Sequence, residues 1–242
     1  LGYHYDALDY AFGGCHAYAN LTVEPGTALG WFRTSSGWYH AGHGIHLGDN
    51  QRMDFNGTVT APTWWVRCSV VQEGGNNVWQ GGYGPGGITG WTFPTFANAP
   101  VVQARFLKCS EFAGEMCHFR DDNGYLVVHA RDSEFYSGLL GAYISQLRFT
   151  NCVMQRAVLA LLGGRPDSDR TLRNCTFLGG RFQVQRWTNA VDQTVGYTKV
   201  SVRDSAFDGT QLLTTDFLMT DTNYNDYDYN AYLSTNYHTN FV

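Results

Sequence analysis

The chain has 242 residues, of which 15% are charged and 43% are hydrophobic, and its formal net charge is −5. An ordinary soluble domain has about 25% charged residues, so charge-driven disorder is excluded and the apolar content suffices for a core. An acidic balance without a basic block argues against a nucleic-acid partner. The absence of an apolar run of about 18 residues argues against a membrane-spanning helix.

In chain order, residues 1–18 follow no repeat and are predicted to cover one end of the fold. Three segments, 19–32, 44–58 and 64–74, show short apolar alternation closed by Gly, Pro or Asn, which is typical of strands followed by turns. Residues 74–92 are rich in glycine and predict a loop. The tyrosine-rich stretch 221–242 again follows no repeat and is predicted to cover the other end.

Between these parts, one short pattern occurs five times at an average spacing of about 24 residues. The copies are FLKCSEF (106–112), HARDSEF (129–135), RFTNCVM (148–154), TLRNCTF (171–177) and SVRDSAF (201–207). Aligned on their last residue, they show a small residue two positions earlier, mostly Asn or Asp three positions earlier, and an apolar residue five positions earlier. Four of the five residues in the Asn/Asp column are Asn or Asp, and Cys109 of the first copy is the exception.

The alternation of apolar and polar columns predicts a strand with one side in the core and the other in water. A strand-and-turn unit repeated every 20–30 residues predicts a solenoid. We expect the Asn and Asp side chains of neighbouring coils to form a hydrogen-bonded ladder. The terminal Phe and Met residues are expected to stack inside the fold, and most of the six cysteines to be buried as small hydrophobic residues. Residues 1–242 are predicted to form one domain, with coils over 19–220.

The repeated TNC, RNC and RDS triplets with their following Phe or Met resemble the right-handed parallel β-helix proteins of the pectate-lyase-like superfamily. DYDYNAY (226–232) is similar to a strand near the C-terminal end of many such proteins. The opening LGYHYDALDY and the order EPGTALGWF, FNGT, VVQEG resemble modules of large secreted proteins of environmental bacteria. The resemblance implies an all-β, single-stranded right-handed parallel β-helix with atypical capping segments at both ends. It also implies export from a bacterium, to the medium or the cell surface, as part of a multi-module protein.

For an enzyme of this type, the candidate catalytic residues are Glu111, Glu134, Arg120, Asp121 and Asp122. Lyases of the superfamily hold Ca²⁺ with acidic residues and use an Arg or Lys as the base, whereas glycoside hydrolases use paired carboxylates. In the repeat alignment Glu111 and Glu134 share a column, which predicts two carboxylates about 5 Å apart. No lyase signature can be transferred residue by residue.

Structural interpretations of the same residues stay open. The sequence Asp-Asp-Asn-Gly at 121–124 is typical of a turn. Lys108 and Arg131 flank the two glutamates and are placed to neutralise them in surface salt bridges.

Three histidines, His40, His43 and His46, are separated from one another by two intervening residues and precede Asp49. Imidazole and carboxylate ligands suit zinc or copper, although solvated or aromatic-stacked histidines are the alternative. We expect no cofactor, with Ca²⁺ or a transition metal as the alternative.

Aromatic residues flank the Gly-rich stretch, namely Trp64, Trp79, Tyr83 and Trp91, and amphipathic rings in loops suit stacking on sugar faces. The alternative for Trp64 is a structural role, in which Trp64 and Trp65 cover the edge of the core with one ring inside and one outside.

These observations favour an exported, non-catalytic module for cell-surface attachment, polysaccharide binding or extracellular assembly. Its expected partners are polysaccharide, other modules of the same secreted protein, or further copies of itself. The alternative is a polysaccharide lyase or glycoside hydrolase acting in a groove along the β-helix.

Overall fold

A computed structural model describes the protein over thirteen stretches of the chain. They are residues 9–12, 15–31, 44–67, 87–90, 96–110, 119–120, 126–142, 146–162, 169–185, 187–188, 195–196, 199–214 and 225–233. Within them the fold is all-β and solenoid-like, with parallel strands stacked into long sheets.

Sheet A contains nine strands that pair in chain order. They are β1 (Tyr10–Phe12), β4 (Ala28–Trp31), β7 (Thr63–Arg67), β10 (Leu107–Ser110), β13 (Glu134–Tyr136), β16 (Val153–Gln155), β19 (Thr176–Leu178), β24 (Ala206–Asp208) and β27 (Ala231–Leu233).

We use the name sheet B for two separate four-stranded sheets that take the same place in the path of the chain, between sheets A and C. The first contains β2 (Cys15–Ala17), β5 (Gly44–Leu47), β8 (Gly87–Gly90) and β11 (Phe119–Arg120), and the second contains β14 (Leu139–Ala142), β17 (Val158–Leu162), β20 (Arg181–Gln185) and β25 (Gln211–Thr214).

Sheet C contains eight strands, which also pair in chain order. They are β3 (Leu21–Val23), β6 (Arg52–Asn56), β9 (Val101–Arg105), β12 (Val127–Arg131), β15 (Gln146–Thr150), β18 (Asp169–Arg173), β23 (Lys199–Arg203) and β26 (Asn225–Asp228). An antiparallel pair, β21 (Trp187–Thr188) and β22 (Val195–Gly196), and a 3₁₀ turn at Phe96–Asn98 complete the described elements. Among the residues described, no helix has the length and hydrophobicity needed to cross a membrane.

The chain visits the three sheets in the same order in every coil, for example β13, β14 and β15 before it returns to sheet A at β16. Each strand of sheets A and C, and each strand within either part of sheet B, therefore pairs in parallel with its counterpart one coil away. This repeated path confirms the predicted solenoid.

The core lies between the sheets and is filled by the apolar columns of the repeat. On sheet A, Phe135, Met154, Phe177 and Phe207 pair in register and are all buried. The rings of Phe177 and Phe207 stack with centroids 4.5 Å apart. The predicted internal column of Phe and Met is therefore confirmed.

The turn from sheet C to sheet A explains the Asn/Asp column. Asp132, Asn151, Asn174 and Asp204 all have positive φ, between 51° and 55°. Asn and Asp adopt this left-handed conformation more readily than other residues with a side chain. The Nδ2 atom of Asn151 donates to Asp132 at 2.6 Å, and that of Asn174 donates to Asn151 at 3.2 Å. The predicted ladder is confirmed along these three residues.

The alignment of the first repeat copy is wrong by three residues. In the structure Lys108 pairs with Glu134, and Cys109 pairs with Phe135. Phe106 therefore takes the left-handed turn position, with φ of 49°, and buried Cys109 takes the place of the stacked Phe. The shift was hidden because the turn residue is Phe and the core residue is Cys in this coil.

Both segments that were predicted to follow no repeat contribute regular strands to the stacked sheets. β1 and β2 lie within 1–18, and β26 and β27 lie within 221–242. At the second end Tyr229 takes the left-handed turn position with φ of 55°, so the Asn/Asp signal is absent there. Gly87–Gly90, predicted as loop, forms β8.

Cys109, Cys152 and Cys175 are free and buried, and the burial of these three cysteines agrees with the expectation that most of the six are buried. Arg170 departs from the alternation of sheet C. It occupies an inward position between Leu147 and Val200, is fully buried and takes part in an interaction within the fold.

Candidate functional site

The outer face of sheet C carries a groove of about 420 Å³ across β6, β9, β12 and β15. We call it the arginine groove. It is lined by Arg52, Asp54, Phe55, Asn56, Gln103, Ala104, Arg105, His129, Ala130, Arg131, Arg148 and Thr150.

Parallel register arranges the polar lining into two rows that run from coil to coil. The first, the histidine row, is Asp54, Gln103, His129 and Arg148, and the second, the arginine row, is Asn56, Arg105, Arg131 and Thr150. Neighbouring members of a row are about 4.8 Å apart, the usual separation of paired strands. The side chains between the two rows point into the core, since successive residues of a strand face opposite sides.

Charge in the groove is predominantly positive, because among its described lining residues four arginines face one carboxylate. The Nε atom of Arg52 donates to both carboxylate oxygens of Asp54, at 2.6 and 2.7 Å. Its Nη2 atom donates to Oε1 of Gln103 at 2.8 Å. The only carboxylate of this described lining is therefore committed to Arg52.

The other three arginines are exposed, and the carboxylates nearest to them lie at the margin of the groove. Arg131 is 3.0 Å from Asp132, and Arg105 approaches the same carboxylate only to 3.9 Å. Arg148 lies 3.8 Å from Asp169. The side chains of Arg105 and Arg148 are 60% and 56% exposed, so both guanidinium groups retain donors that face solvent.

His129 lies near the centre of the groove and is half-buried. Burial lowers the pKa of its imidazole, and the positive charges of Arg148 and Arg52 lower it further. Because the ordinary value is 6.5, the ring is neutral at physiological pH.

Further along sheet C, the arginines are satisfied within the protein. Arg203 forms a two-point contact with Asp226, at 2.8 and 2.6 Å. Ser201 also donates to Asp226, at 2.7 Å, and Arg173 donates to Ser201 at 2.7 Å. The hydrogen bond from Arg203, followed by that from Ser201, lowers the pKa of Asp226. The contrast leaves Arg105 and Arg148 of the groove without a carboxylate closer than 3.8 Å among the described residues, whereas Arg203 has one at 2.6 Å.

Glu134, a predicted catalytic residue, lies on sheet A and not in the groove. Its carboxylate is 3.3 Å from Nζ of Lys108 and accepts a hydrogen bond from the hydroxyl of Tyr136. Burial and this carboxylate raise the pKa of Tyr136 to about 12. The partner of Glu134 in β10 is Lys108, so the expected column with Glu111 is not formed by this register, and the salt-bridge interpretation is confirmed for Lys108.

The side chains of the remaining predicted catalytic residues are not part of the described structure. Glu111, Asp121 and Asp122 lie outside the described residues. Arg120 ends β11, but nothing is described of its side chain.

Trp64 is partly exposed on β7, while the adjacent Trp65 is fully buried. The predicted division between an outer and an inner ring is therefore confirmed. Nζ of Lys108 lies 5.4 Å from the centroid of the Trp64 ring. Trp64, Lys108 and Glu134 thus form one row on sheet A. The other predicted sugar-binding residues, Trp79, Tyr83 and Trp91, lie outside the described part of the chain.

His46, one of the three predicted metal ligands, is buried on β5 with its ring centroid 5.1 Å from that of His16. His40 and His43 lie outside the described residues. Within the stretches described, no group of three or more His, Cys, Asp or Glu residues is arranged to hold a metal ion.

Sequence analysis did not single out Arg52, Arg105, His129 and Arg148 as site residues. A signal was present, because polar residues recur at the outward positions of the sheet C strands. Combining them into one site required the register between coils, which brings together residues as distant in sequence as Arg52 and Gln103, 51 positions apart.

No known family, curated protein or solved structure matches this chain.

Proposed function

We propose that this protein is an exported, non-catalytic module that binds an acidic polysaccharide in the arginine groove. The fold that we propose for it is a right-handed parallel β-helix of the pectate-lyase-like type, with its ends covered by atypical segments. Secretion or display at a bacterial cell surface, and attachment to other modules, belong to the same proposal.

The observation that carries the proposal is the groove itself, with outward arginines from successive coils along one face of the solenoid. An extended polymer lying across these strands runs along the two rows and meets the donors of a new coil about every 4.8 Å. Guanidinium groups bind carboxylate and sulfate oxygens through paired hydrogen bonds. The exposed Arg105 and Arg148 are the groups best placed to do so.

Binding without turnover is supported by the carboxylates of the groove. A glycoside hydrolase of the usual kind needs two, one as acid and one as base or nucleophile. Among the described lining residues Asp54 is the only carboxylate, and Arg52 holds both of its oxygens.

A lyase is the second candidate, and one observation favours it. A neutral imidazole at His129, next to Arg148 and Arg52, has the properties of a base that removes a proton beside a carboxylate neutralised by arginine. Product formation separates this candidate from binding.

The test is retention on immobilised acidic and neutral polysaccharides, together with assays for reducing ends and for unsaturated products by ultraviolet absorbance, with and without Ca²⁺. We expect retention on acidic polysaccharides without products. The Arg105→Ala/Arg148→Ala variant should bind at least about tenfold more weakly, since a charge-assisted hydrogen bond contributes about 1.5–3 kcal/mol.

The matched control is Arg181→Ala, which removes one exposed guanidinium from sheet B, where it contacts Gln211. It should bind like the unaltered protein. Unsaturated products that disappear in His129→Gln would establish the lyase instead. Neither retention nor product formation on any polysaccharide would refute both candidates.

A further inference from the structure

His129 is surrounded by charged groups of every strand that packs against it in the groove. They are Arg52 and Asp54 on β6, Arg105 on β9, Arg131 on its own strand β12, and Arg148 on β15. Its immediate partners in the neighbouring strands are Gln103 and Arg148. Arg52 reaches the same place, because its Nη2 atom binds Gln103 at 2.8 Å.

The one carboxylate of this set does not compensate a charge on the imidazole. Asp54 accepts both short hydrogen bonds from Arg52, so protonated His129 would face the charges of Arg148 and Arg52 without a counter-ion. Burial is the largest cause of the lowered pKa of His129, and these positive charges lower it further.

A ligand oxyanion in the same place reverses that balance. It would accept hydrogen bonds from the guanidinium groups and from a protonated imidazole, whose two nitrogens are both donors. Binding of the oxyanion therefore favours the charged ring, and by reciprocity the charged ring favours binding.

We infer that Arg52, His129 and Arg148 form an oxyanion subsite for a carboxylate or sulfate ester group of the glycan, and that His129 takes up a proton when this group binds. The inference rests on the proposed function and adds the ligand group, the residues that hold it and a dependence on pH. It assigns to His129 the role of a residue that tunes affinity.

The direction of the pH effect follows from the two protonation states. The free protein holds a neutral His129 down to below pH 6.5, its ordinary pKa, whereas the complex holds the charged ring to higher pH. The affinity for the oxyanion should therefore rise as the pH falls from the pKa of His129 in the complex towards its pKa in the free protein. At lower pH the free protein is also protonated at His129, so the affinity should level off. Uronate carboxylates and sulfate esters remain ionised throughout, since carboxylates titrate near about pH 4.

The experiment is calorimetric titration of the whole chain at about pH 7.5 and about pH 5.5, in buffers of different ionisation enthalpy. The probes are polygalacturonate for carboxylate, dextran sulfate for sulfate ester, and unmodified dextran as the neutral polymer. We expect affinity for at least one charged probe to increase about tenfold at the lower pH, with uptake of up to about one proton. The probe with the larger increase identifies the source of the oxyanion.

His129→Gln should remove both the pH effect and the proton uptake while residual binding to the arginines persists. His16→Gln is the matched control, since His16 is an exposed histidine on sheet B, and it should retain both effects. NMR titration of the His129 ring with sodium sulfate, against sodium chloride at equal ionic strength, gives a readout that needs no polysaccharide. Sulfate should raise the midpoint of His129.

The outcomes separate this inference from the proposed function. Retention of acidic glycans with the same affinity at both pH values, or a pH effect that persists in His129→Gln, would overturn the subsite and leave the binding module intact. If the unaltered protein binds no glycan at either pH, the proposed function is refuted. If sulfate does not raise the titration midpoint of His129, the subsite is refuted. Equal binding of single-stranded DNA with the same proton uptake would overturn the assignment to glycans.

Discussion

The side-chain amide of Asn151 donates a 2.6 Å hydrogen bond to the carboxylate of Asp132 in the neighbouring coil. Both residues have a left-handed backbone, with φ of 55° and 53°. The same side chain accepts from Asn174 at 3.2 Å. One residue type thus serves the turn within a coil and the contact between coils.

Replacing Asn151 with Ala should lower the free energy of unfolding by about 3–4 kcal/mol. The substitution removes the hydrogen bonds to Asp132 and Asn174, about 1 kcal/mol each, and forces Ala into a conformation that costs about 1–2 kcal/mol. Asn151→Gly also loses the hydrogen bonds but relieves the strain, so it should be the milder variant. Urea denaturation measures both, and equal stability of the Ala variant and the unaltered chain would contradict the ladder.

The stability of the turn should depend on pH through Asp132. The hydrogen bond from Asn151, and then that from Arg131, lower the pKa of this carboxyl from its ordinary value of 3.8. A depressed pKa means that the stabilisation is fully present above 3.8 and is lost as pH falls through the folded-state pKa. Unfolding experiments between about pH 5 and about pH 2 should show the stability of the chain converging on that of Asp132→Asn in the most acidic samples. A constant difference between the two proteins across this range would contradict the assignment.

Gly180→Ala should be strongly destabilising, by more than about 2 kcal/mol. A Cβ atom there would overlap the carbonyl oxygen of Ala157 and lie 2.8 Å from its backbone nitrogen, and φ is +73°. Gly48→Ala is the control, because its Cβ would meet only the flexible side chain of Gln51, at 3.6 Å or more. The control should change stability by less than about 1 kcal/mol. Similar melting temperatures for the two variants would show that the coil contact at Gly180 yields easily.

Cys175→Ser should leave stability within about 1 kcal/mol, whereas Cys175→Val should cost about 1–3 kcal/mol. The backbone N–H of Cys152 donates to the sulfur of Cys175. Ser133 and Ser205 play the same role in other coils, since their hydroxyl oxygens accept from Leu107 and Cys175 at 3.1 Å. Serine keeps an acceptor at this position and valine leaves a buried donor without one. Thermal denaturation that ranks the valine variant equal to the serine variant would argue that packing alone decides this column.

The strands and turns within each coil were predictable because every coil repeats the same alternation of apolar and polar residues and the same turn residues. Alternation predicted that Phe149 and Leu172 face the core and that Thr150 and Arg173 face outward, as the burial of β15 and β18 confirms. It did not predict Phe106 at a left-handed turn or fully buried Arg170 on an inward position. At both positions the tertiary contacts override the ordinary preference of the residue type.

What the sequence by itself determined is the repeating strand and turn, the columns that form the core, and the Asn/Asp ladder, because these depend on residues close together in the chain. Only the tertiary structure decided the register between coils, because insertions of different length separate equivalent strands. That register paired Glu134 with Lys108. It also brought Arg52, His129 and Arg148, from three different coils, into one groove, and a site made of such distant residues exists only once the coils are stacked.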